Sequence, residues 1–351
     1  MNIQTLHETI EKIFQPKKGV LAADESPASI HKRFEALGIP LTEENRLGYR
    51  TAIVGTPNLS NQISGIIFQD ETFRQTIDGK TFAEYCTEHG IVPGIKVDKG
   101  LIDLPNFPGE KLTLGLDGLK ERMEEYYALG ARFCKWRAVV DVHASTEEGI
   151  AANMRNLALY ASIAQQAGIV PMVEPEVLYD GTHFMHETKE KMLYTLTHLF
   201  GELALYKVDI TGVILKTSMV LPGLKSGEEI TTTEVAHETA LLLRTTVPKN
   251  IGGVVFLSGG QQPIQASENL SEIMKLRPYD FPITYSYSRA IQDPVLAYFS
   301  KHISDTDLTP VRNILVDRLD MNTLSLTGEY EQSKETGISA HVEKVTGSQD
   351  L

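Results

Sequence analysis

The chain has few cysteines and no long apolar segment. Cys86 and Cys134 are its only cysteines, and no CxxC spacing occurs. This argues against a disulfide framework or a zinc cluster and is typical of a reducing compartment, so we expect a cytoplasmic protein. No apolar stretch approaches the roughly 20 residues that a membrane-spanning helix needs. Glu8, Glu11 and Lys12 interrupt the first 18 residues, so we expect no signal peptide and no membrane partner.

Basic residues are outnumbered by acidic ones. The chain has 33 Lys and Arg against 46 Asp and Glu, a formal net charge of -13. This charge repels a polyanion and no basic run compensates for it, so we expect no nucleic-acid partner. An anionic substrate would need a locally basic pocket. The 42% of hydrophobic residues among 351 is enough for a globular protein with a large core.

Short β-rich runs alternate with longer segments of helical periodicity. Eight runs predict strands, at residues 19–23, 63–68, 91–97, 132–140, 169–173, 212–215, 253–257 and 281–285. Eight strands alternating with helices are typical of a closed parallel (β/α)₈ TIM barrel of the α/β class. A doubly wound open sheet is the alternative, but no GxGxxG motif follows the first strand.

The expected organisation is a single domain over residues 1–351. An N-terminal helix precedes a barrel core that we place at residues 19–300, and residues 301–351 are predicted as a C-terminal helix followed by a flexible tail. The segment from residue 331 is rich in Ser, Thr, Gly, Glu and Lys, a composition that predicts mobility. No repeat or Pro-rich linker divides the chain.

Charged and polar side chains follow or end seven of the eight predicted strands. The active site of such a barrel lies at these carboxyl ends, so the seven sets should converge on one mouth. Lys135 and Arg137 alternate along one strand, as do Glu174 and Glu176 along the next, so each pair should face one cavity. One charge at a strand end is usually a solvated terminus, whereas converging charges are costly without a ligand. We therefore predict a site there.

Lys216 is the most informative of these residues because it ends the apolar run 212–215. An ammonium in apolar surroundings is destabilised relative to the amine, so such a lysine can become a nucleophile and form a Schiff base. The alternative is a lysine that reaches past the strand end to water. The other lysines and arginines of the mouth predict a substrate bearing phosphate, to which the turn Ser258-Gly259-Gly260 offers backbone N–H groups.

Two further patterns are set aside. Gly79-Lys80-Thr81 looks like the end of a P-loop, but Arg74 stands where that motif requires its first glycine. The spacing of the ten histidines fits no standard zinc site, so we expect no metal.

Seven ordered motifs together resemble the class I fructose-bisphosphate aldolases, from about Gly19 to Tyr330. They are GVLAADES at 19–26 with Ser29, Lys32 and Arg33; GIKVDKG at 94–100; KWR at 135–137; VEPE at 173–176; LK at 215–216; FLSGGQ at 256–261; and Ser286, Tyr287, Arg289 and Ala290. The resemblance implies reversible cleavage of fructose 1,6-bisphosphate into dihydroxyacetone phosphate and glyceraldehyde 3-phosphate. It also implies a lysine Schiff base without metal or other cofactor, and a homotetramer.

The resemblance also implies roles for the residues of the mouth. Lys216 matches the Schiff-base lysine and Glu174 the main general acid and base. Lys135 is the adjacent cation that favours the neutral amine and assists proton transfer. Asp24 would accept or orient the proton of the C4 hydroxyl, and Glu176 would share its charge with the lysines. The implied phosphate contacts are Ser258, Gly259, Ser288 and Arg289 near one end of the sugar, and Arg33, Lys96, Arg137, Ser26 and Ser29 toward the other.

Three departures from the family pattern stand out. Thr217-Ser218 replaces the usual Pro-Asn after the lysine, and Ser288 replaces a glycine, where a backbone phosphate contact would be strained. The chain ends in Leu351 instead of the tyrosine that assists enamine protonation in vertebrate members. Another Schiff-base aldolase, or a scaffold that binds other proteins, remains an alternative at this point.

Overall fold

The computed structural model describes residues 3–335 and has a closed barrel of eight parallel strands at its centre. The barrel strands are β1 (Gly19–Ala23), β2 (Ile63–Phe68), β3 (Val92–Lys96), β4 (Phe133–Val140), β5 (Val170–Val177), β6 (Ile214–Thr217), β7 (Gly253–Phe256) and β8 (Ile283–Tyr287). Each strand pairs with its neighbours in chain order, and β8 closes on β1. The predicted TIM barrel is therefore confirmed.

Helices surround the barrel and occupy most of the connections between strands. They are α1 (Ile3–Ile13), α2 (Pro27–Ala36), α3 (Glu43–Val54), α4 (Asp70–Arg74), α5 (Phe82–Glu88), α6 (Leu119–Ala128), α7 (Glu147–Gln166), α8 (Met185–Leu205), α9 (Thr232–Thr246), α10 (Pro263–Lys275), α11 (Arg289–Phe299) and α12 (Thr309–Thr327). Within residues 3–335, no helix is long and apolar enough to cross a bilayer. The tail expected to be flexible lies mostly outside the described residues, as does Leu351.

Strand β5 is longer than its sequence pattern predicts. Charged residues and Pro175 follow Val173, which is why the pattern placed the end of the strand there. The strand in fact continues to Val177, and all eight of its residues are buried. It stays paired with β4, with Arg137 opposite Glu174. The strand can continue because cations from neighbouring strands meet its inward-facing carboxylates at the mouth.

The amino-terminal end of the barrel is closed by α1. Leu6, Ile10 and Ile13 of this helix are buried and pack in one cluster with inward-facing strand residues such as Phe133 and Met172. This closure leaves the carboxyl ends of the strands as the open end of the barrel, which is where a (β/α)₈ barrel carries its site.

Glycines inside the barrel make room for aromatic rings. A Cβ atom on Gly94 would lie 2.3 Å from Cζ of Phe133, whose ring is fully buried. Apart from its chain neighbours and the backbone of its own helix, no heavy atom would lie within 4 Å of a Cβ on Gly201, an exposed position of α8. The two glycines thus offer opposite tests of how the barrel is packed.

We expect Gly94→Ala to lower the free energy of unfolding by about 1–3 kcal/mol, because the added methyl group overpacks the barrel against Phe133. Gly201→Ala is the matched control and should leave stability unchanged or raise it by about 0.5–1 kcal/mol through helix propensity. Thermal and urea unfolding measure both changes. Equal midpoints for the two variants would contradict this account of the packing.

Candidate active site

One cleft at the carboxyl ends of the strands brings together all fourteen residues that the sequence singled out. Its lining contains Lys216, Glu174, Lys135, Asp24, Glu176, Arg33, Ser26, Ser29, Lys96, Arg137, Ser258, Gly259, Ser288 and Arg289. The lining also includes residues to which we had given no role: Ala22, Glu25, Leu257 and Ser286.

Lys216 lies on β6 and points into the cleft. Only 4% of the residue is exposed, so it does not reach out to water. The sequence suggested apolar surroundings for this amine, but the structure places a charged group beside it. The Nζ atom lies 3.0 Å from Oε1 of Glu174. The apolar residues of β6 pack in the core below, whereas the inward face at the top of the barrel is charged, and Lys216 lies in that charged layer.

A line of alternating charges runs through Lys216, Glu174, Lys135 and Asp24. Glu174 bridges the two lysines, since its Oε2 lies 3.0 Å from Nζ of Lys135. Lys135 Nζ in turn lies 2.6 Å from Oδ2 of Asp24. Every side chain in this line is at most 9% exposed. Each carboxylate is therefore stabilised by cations and not by water.

The neighbouring charges decide the pKa of three of these groups. Burial alone would raise the pKa of Asp24, but Lys135, Lys216 and Lys96 outweigh it and lower the pKa to about 2. Burial likewise opposes ionisation of Glu174, yet Lys135 and Lys216 hold its pKa below the usual value. Burial would lower the pKa of Lys135, but Asp24 and Glu174 raise it far above its ordinary range. Both carboxylates and Lys135 are therefore ionised at neutral pH.

Glu176 has a different partner from the one we expected. It forms a short ion pair with Nε of Arg137, whereas the resemblance suggested that it shares its charge with the lysines. Arg137 extends from β4 toward β5, which explains the pairing. Asp98, to which we gave no role, accepts a hydrogen bond from the backbone N–H of Arg137 at 3.3 Å and lies 3.2 Å from Nζ of Lys96.

A glycine turn after β7 and the start of α11 form one side of the cleft. Gly259 and Gly260 have φ angles of +53° and +90°, which only glycine adopts without strain. Arg289 is the first residue of α11. Ser288 precedes it with φ of -108° and ψ of -83°, so its φ lies outside the left-handed region that favours glycine. Its hydroxyl donates a hydrogen bond to Oε1 of Glu25 at 2.8 Å.

On the other side, α2 begins at the cleft. The backbone N–H of Ser29 donates to Oγ of Ser26, which caps the helix. The two hydroxyl oxygens lie 3.1 Å apart. Arg33, near the end of the same helix, is almost fully buried and its guanidinium contacts two carboxylates, Glu25 and Asp293. Hydroxyl groups, a helix N-terminus and a guanidinium thus meet at one edge of the cleft.

Glu25 links the two sides and was missed by the sequence reading. Its Oε2 lies 2.6 Å from Nη2 of Arg50, and its Oε1 accepts from Arg33 and Ser288. Although burial opposes this, Arg50 and Arg33 lower the pKa of Glu25, so the carboxyl is ionised. Its position inside the motif at 19–26 was the available clue. Arg50 and Asp293 lie on helices behind the strand ends and carried no such clue.

Among residues 3–335, no cluster of three or more His, Cys, Asp or Glu side chains has an arrangement that could hold a metal ion.

Comparison with known proteins gives a consistent result. A family model described as glycolytic, fructose-bisphosphate aldolase class I, matches residues 5–348. The probable fructose-bisphosphate aldolase class 1 of Xanthomonas campestris is 46% identical over 334 residues, which cover 94% of this chain and 100% of that protein. A fructose-bisphosphate aldolase of Plasmodium falciparum is 40% identical over 335 residues, covering 93% of this chain and 91% of that protein.

A solved structure is similar as well. The co-crystal structure of Plasmodium falciparum fructose-bisphosphate aldolase in complex with TRAP and a small-molecule inhibitor matches with a TM-score of 0.90 and 40% identity, over 93% of this chain and 95% of that chain. The resemblance found in the seven motifs is thereby confirmed. With a family match over residues 5–348 and relatives at 40% and 46% identity, this chain belongs to the class I fructose-bisphosphate aldolase family.

Proposed function

We propose that this cleft cleaves fructose 1,6-bisphosphate reversibly into dihydroxyacetone phosphate and glyceraldehyde 3-phosphate, with Lys216 as the Schiff-base lysine. The observation that carries the proposal is the buried Lys216, whose Nζ lies 3.0 Å from a carboxylate. That carboxylate, Glu174, is shared with a second lysine, and cationic side chains line the cleft on both sides. A buried amine, a proton acceptor beside it and cations for phosphate are what an imine-forming aldolase requires.

Glu174 accounts for the proton transfers of imine formation. The carboxylate takes a proton from the Lys216 ammonium, which leaves a neutral amine to attack C2 of the open-chain ketose. The proton on the attacking nitrogen then moves to the alkoxide, giving a carbinolamine. Glu174 returns its proton to this hydroxyl, which leaves as water while the iminium forms. Glu174 is ionised again at the end of the sequence.

Asp24 is suited to the cleavage step. The iminium withdraws electrons as the C3–C4 bond breaks, so C1 to C3 remain bound to Lys216 as an enamine. The proton of the C4 hydroxyl must leave as that carbon becomes an aldehyde, and we assign its acceptance to Asp24. Lys135 stays protonated between Asp24 and Glu174, so its role is to keep both carboxylates ionised and in place. Glu176 acts through its ion pair with Arg137.

The order of the strands supports an assignment of the two phosphates. Strand β6, which carries Lys216, pairs directly with β7, the strand before the Ser258-Gly259 turn. The 1-phosphate is attached to the carbon next to C2, so it fits this nearby turn together with Arg289 and Ser288. The 6-phosphate is four carbons from C2 and is assigned to the side of β1, β3 and β4, where the implied contacts are Ser26, Ser29, Arg33, Lys96 and Arg137.

We also propose the setting of this activity. The two buried free cysteines support a cytoplasmic enzyme that acts on a small phosphorylated sugar. Its net charge supports the absence of nucleic-acid partners. A homotetramer and a reaction without added cofactor are carried over from the family resemblance.

Lys216→Met should remain folded and lose turnover by several orders of magnitude, because the proposed mechanism forms the imine on the Lys216 amine. Borohydride added with dihydroxyacetone phosphate should attach the reduced adduct to Lys216 of the wild type, seen by peptide mass spectrometry. Lys249→Met removes a lysine whose side chain is 82% exposed and should leave both readouts unchanged. An unlabelled Lys216 peptide would refute the proposed function.

Glu174→Gln should lower kcat by about 10²–10⁴-fold, because the amide cannot carry the proton between ammonium, amine and leaving water. The matched control is Glu190→Gln at an exposed position of α8, where we expect wild-type kinetics. Single-turnover trapping separates imine formation from cleavage. If Glu174→Gln forms the imine at the wild-type rate, the proton transfers belong to another residue.

Chelators test the route of electron withdrawal. In the proposed mechanism the iminium, and not a metal ion, withdraws electrons from the bond that breaks. Prolonged dialysis against EDTA should therefore leave kcat within about twofold of its starting value. Initial rates before and after dialysis, with and without added Zn²⁺, provide the measurement. Loss of activity that Zn²⁺ restores would contradict a mechanism without metal.

A further inference from the structure

Arg33 belongs to a buried ion-pair network behind the edge of the cleft. We call Glu25, Arg33, Arg50 and Asp293 the Arg33 cluster. Within it, Nη1 and Nη2 of Arg33 lie 2.5 Å from Oε1 of Glu25 and 2.7 Å from Oδ1 of Asp293. Arg50 holds the other oxygen of Glu25 at 2.6 Å. All four side chains are at most 10% exposed, so water contributes little to their solvation.

The Arg33 cluster is electrically balanced. Its two guanidinium groups are matched by two carboxylates, so its formal charge is zero. Both terminal nitrogens of Arg33 already donate to carboxylates, which reduces what it can offer to a phosphate. The opposite end of the cleft differs. Within the described part of the chain, Arg289 has no carboxylate at ion-pair distance.

Asp293 contributes to this balance from outside the cleft. It lies on α11, and the lining of the cleft includes Arg33 but not Asp293. Any effect of Asp293 on a bound phosphate must therefore pass through Arg33 or through the electric field. Both effects weaken the binding of the phosphate. The carboxylate engages one of the donating nitrogens of Arg33, and it places a negative charge near an incoming dianion.

We propose that Asp293 determines specificity because its ion pair with Arg33 competes with the 6-phosphate. The phosphate must draw Arg33 away from Asp293 in order to bind it. Asp293 therefore lowers the preference for fructose 1,6-bisphosphate over fructose 1-phosphate, which lacks that group. This inference rests on the proposed function and on the assignment of the 6-phosphate to the Arg33 side. Asp293 is a positioning residue, since it acts through Arg33.

The test is Asp293→Asn, which keeps the shape of the side chain and removes its charge. The ratio of kcat/KM for the bisphosphate to kcat/KM for the 1-phosphate should rise roughly three- to tenfold, mainly through a lower KM for the bisphosphate. Fructose 1-phosphate should change by less than about twofold. Because both substrates are measured on one preparation, the ratio does not depend on the fraction of folded enzyme. Asp305→Asn, at an exposed position after α11, should leave the ratio unchanged.

A second measurement does not require the variant to fold. Crystals of the wild-type protein soaked with the bisphosphate and reduced in place should show Arg33 on the phosphate and its contact with Asp293 broken. A retained 2.7 Å contact with the phosphate bound would overturn the inference. So would an unchanged or lower ratio in Asp293→Asn, since a lower ratio means that Asp293 orients Arg33 toward the phosphate. Failure to trap dihydroxyacetone phosphate on wild-type Lys216 would instead refute the proposed function.

Discussion

The ionisation of Glu174 between two lysines is the interaction on which the rest of the site depends. A buried carboxylate alone would be strongly destabilised, and so would each buried ammonium. Glu174 contacts Lys216 and Lys135 at 3.0 Å, and Asp24 balances the second lysine at 2.6 Å. In the mechanism that we propose, the same contacts put a proton acceptor beside the amine that must lose a proton. The same arrangement of charges therefore serves both the stability of the buried site and the proposed proton transfer.

The barrel provides this arrangement through the alternation of its strands. Side chains two positions apart share a face, so β4 directs Lys135 and Arg137 inward and β5 directs Glu174 and Glu176 inward. Below this layer the inward residues are apolar, and α1 closes the far end. The charged layer lies above a dry core and is open on one side only. Substrate reaches the amine from that side, and water contributes little to solvating the buried charges.

The two ends of the cleft are built differently. The β7 turn uses glycines with positive φ, next to an Arg289 that has no ion pair within residues 3–335. The Arg33 side is surrounded by carboxylates from α11 and from the segment after β1. An anion therefore finds available donors at one end and must compete with carboxylates at the other. This asymmetry agrees with the mechanism that we propose, in which only one phosphate stays with the fragment that remains bound to Lys216.

The sequence by itself determined the alternation of strands and helices, the closed barrel, and the convergence of fourteen named residues on one cleft. The barrel could be predicted because strand periodicity and strand ends are local properties of the chain. Residues beyond the strand ends, such as Ser29 and Arg33 on α2, were named only through resemblance to the family motifs. Only the tertiary structure decided which charges pair. Lys216 contacts Glu174 from 42 positions away in the chain, Glu176 pairs with Arg137, and Asp293 reaches Arg33 across 260 positions. Ion pairing depends on distance in space, and closure of the barrel brings these distant segments within a few ångströms of each other.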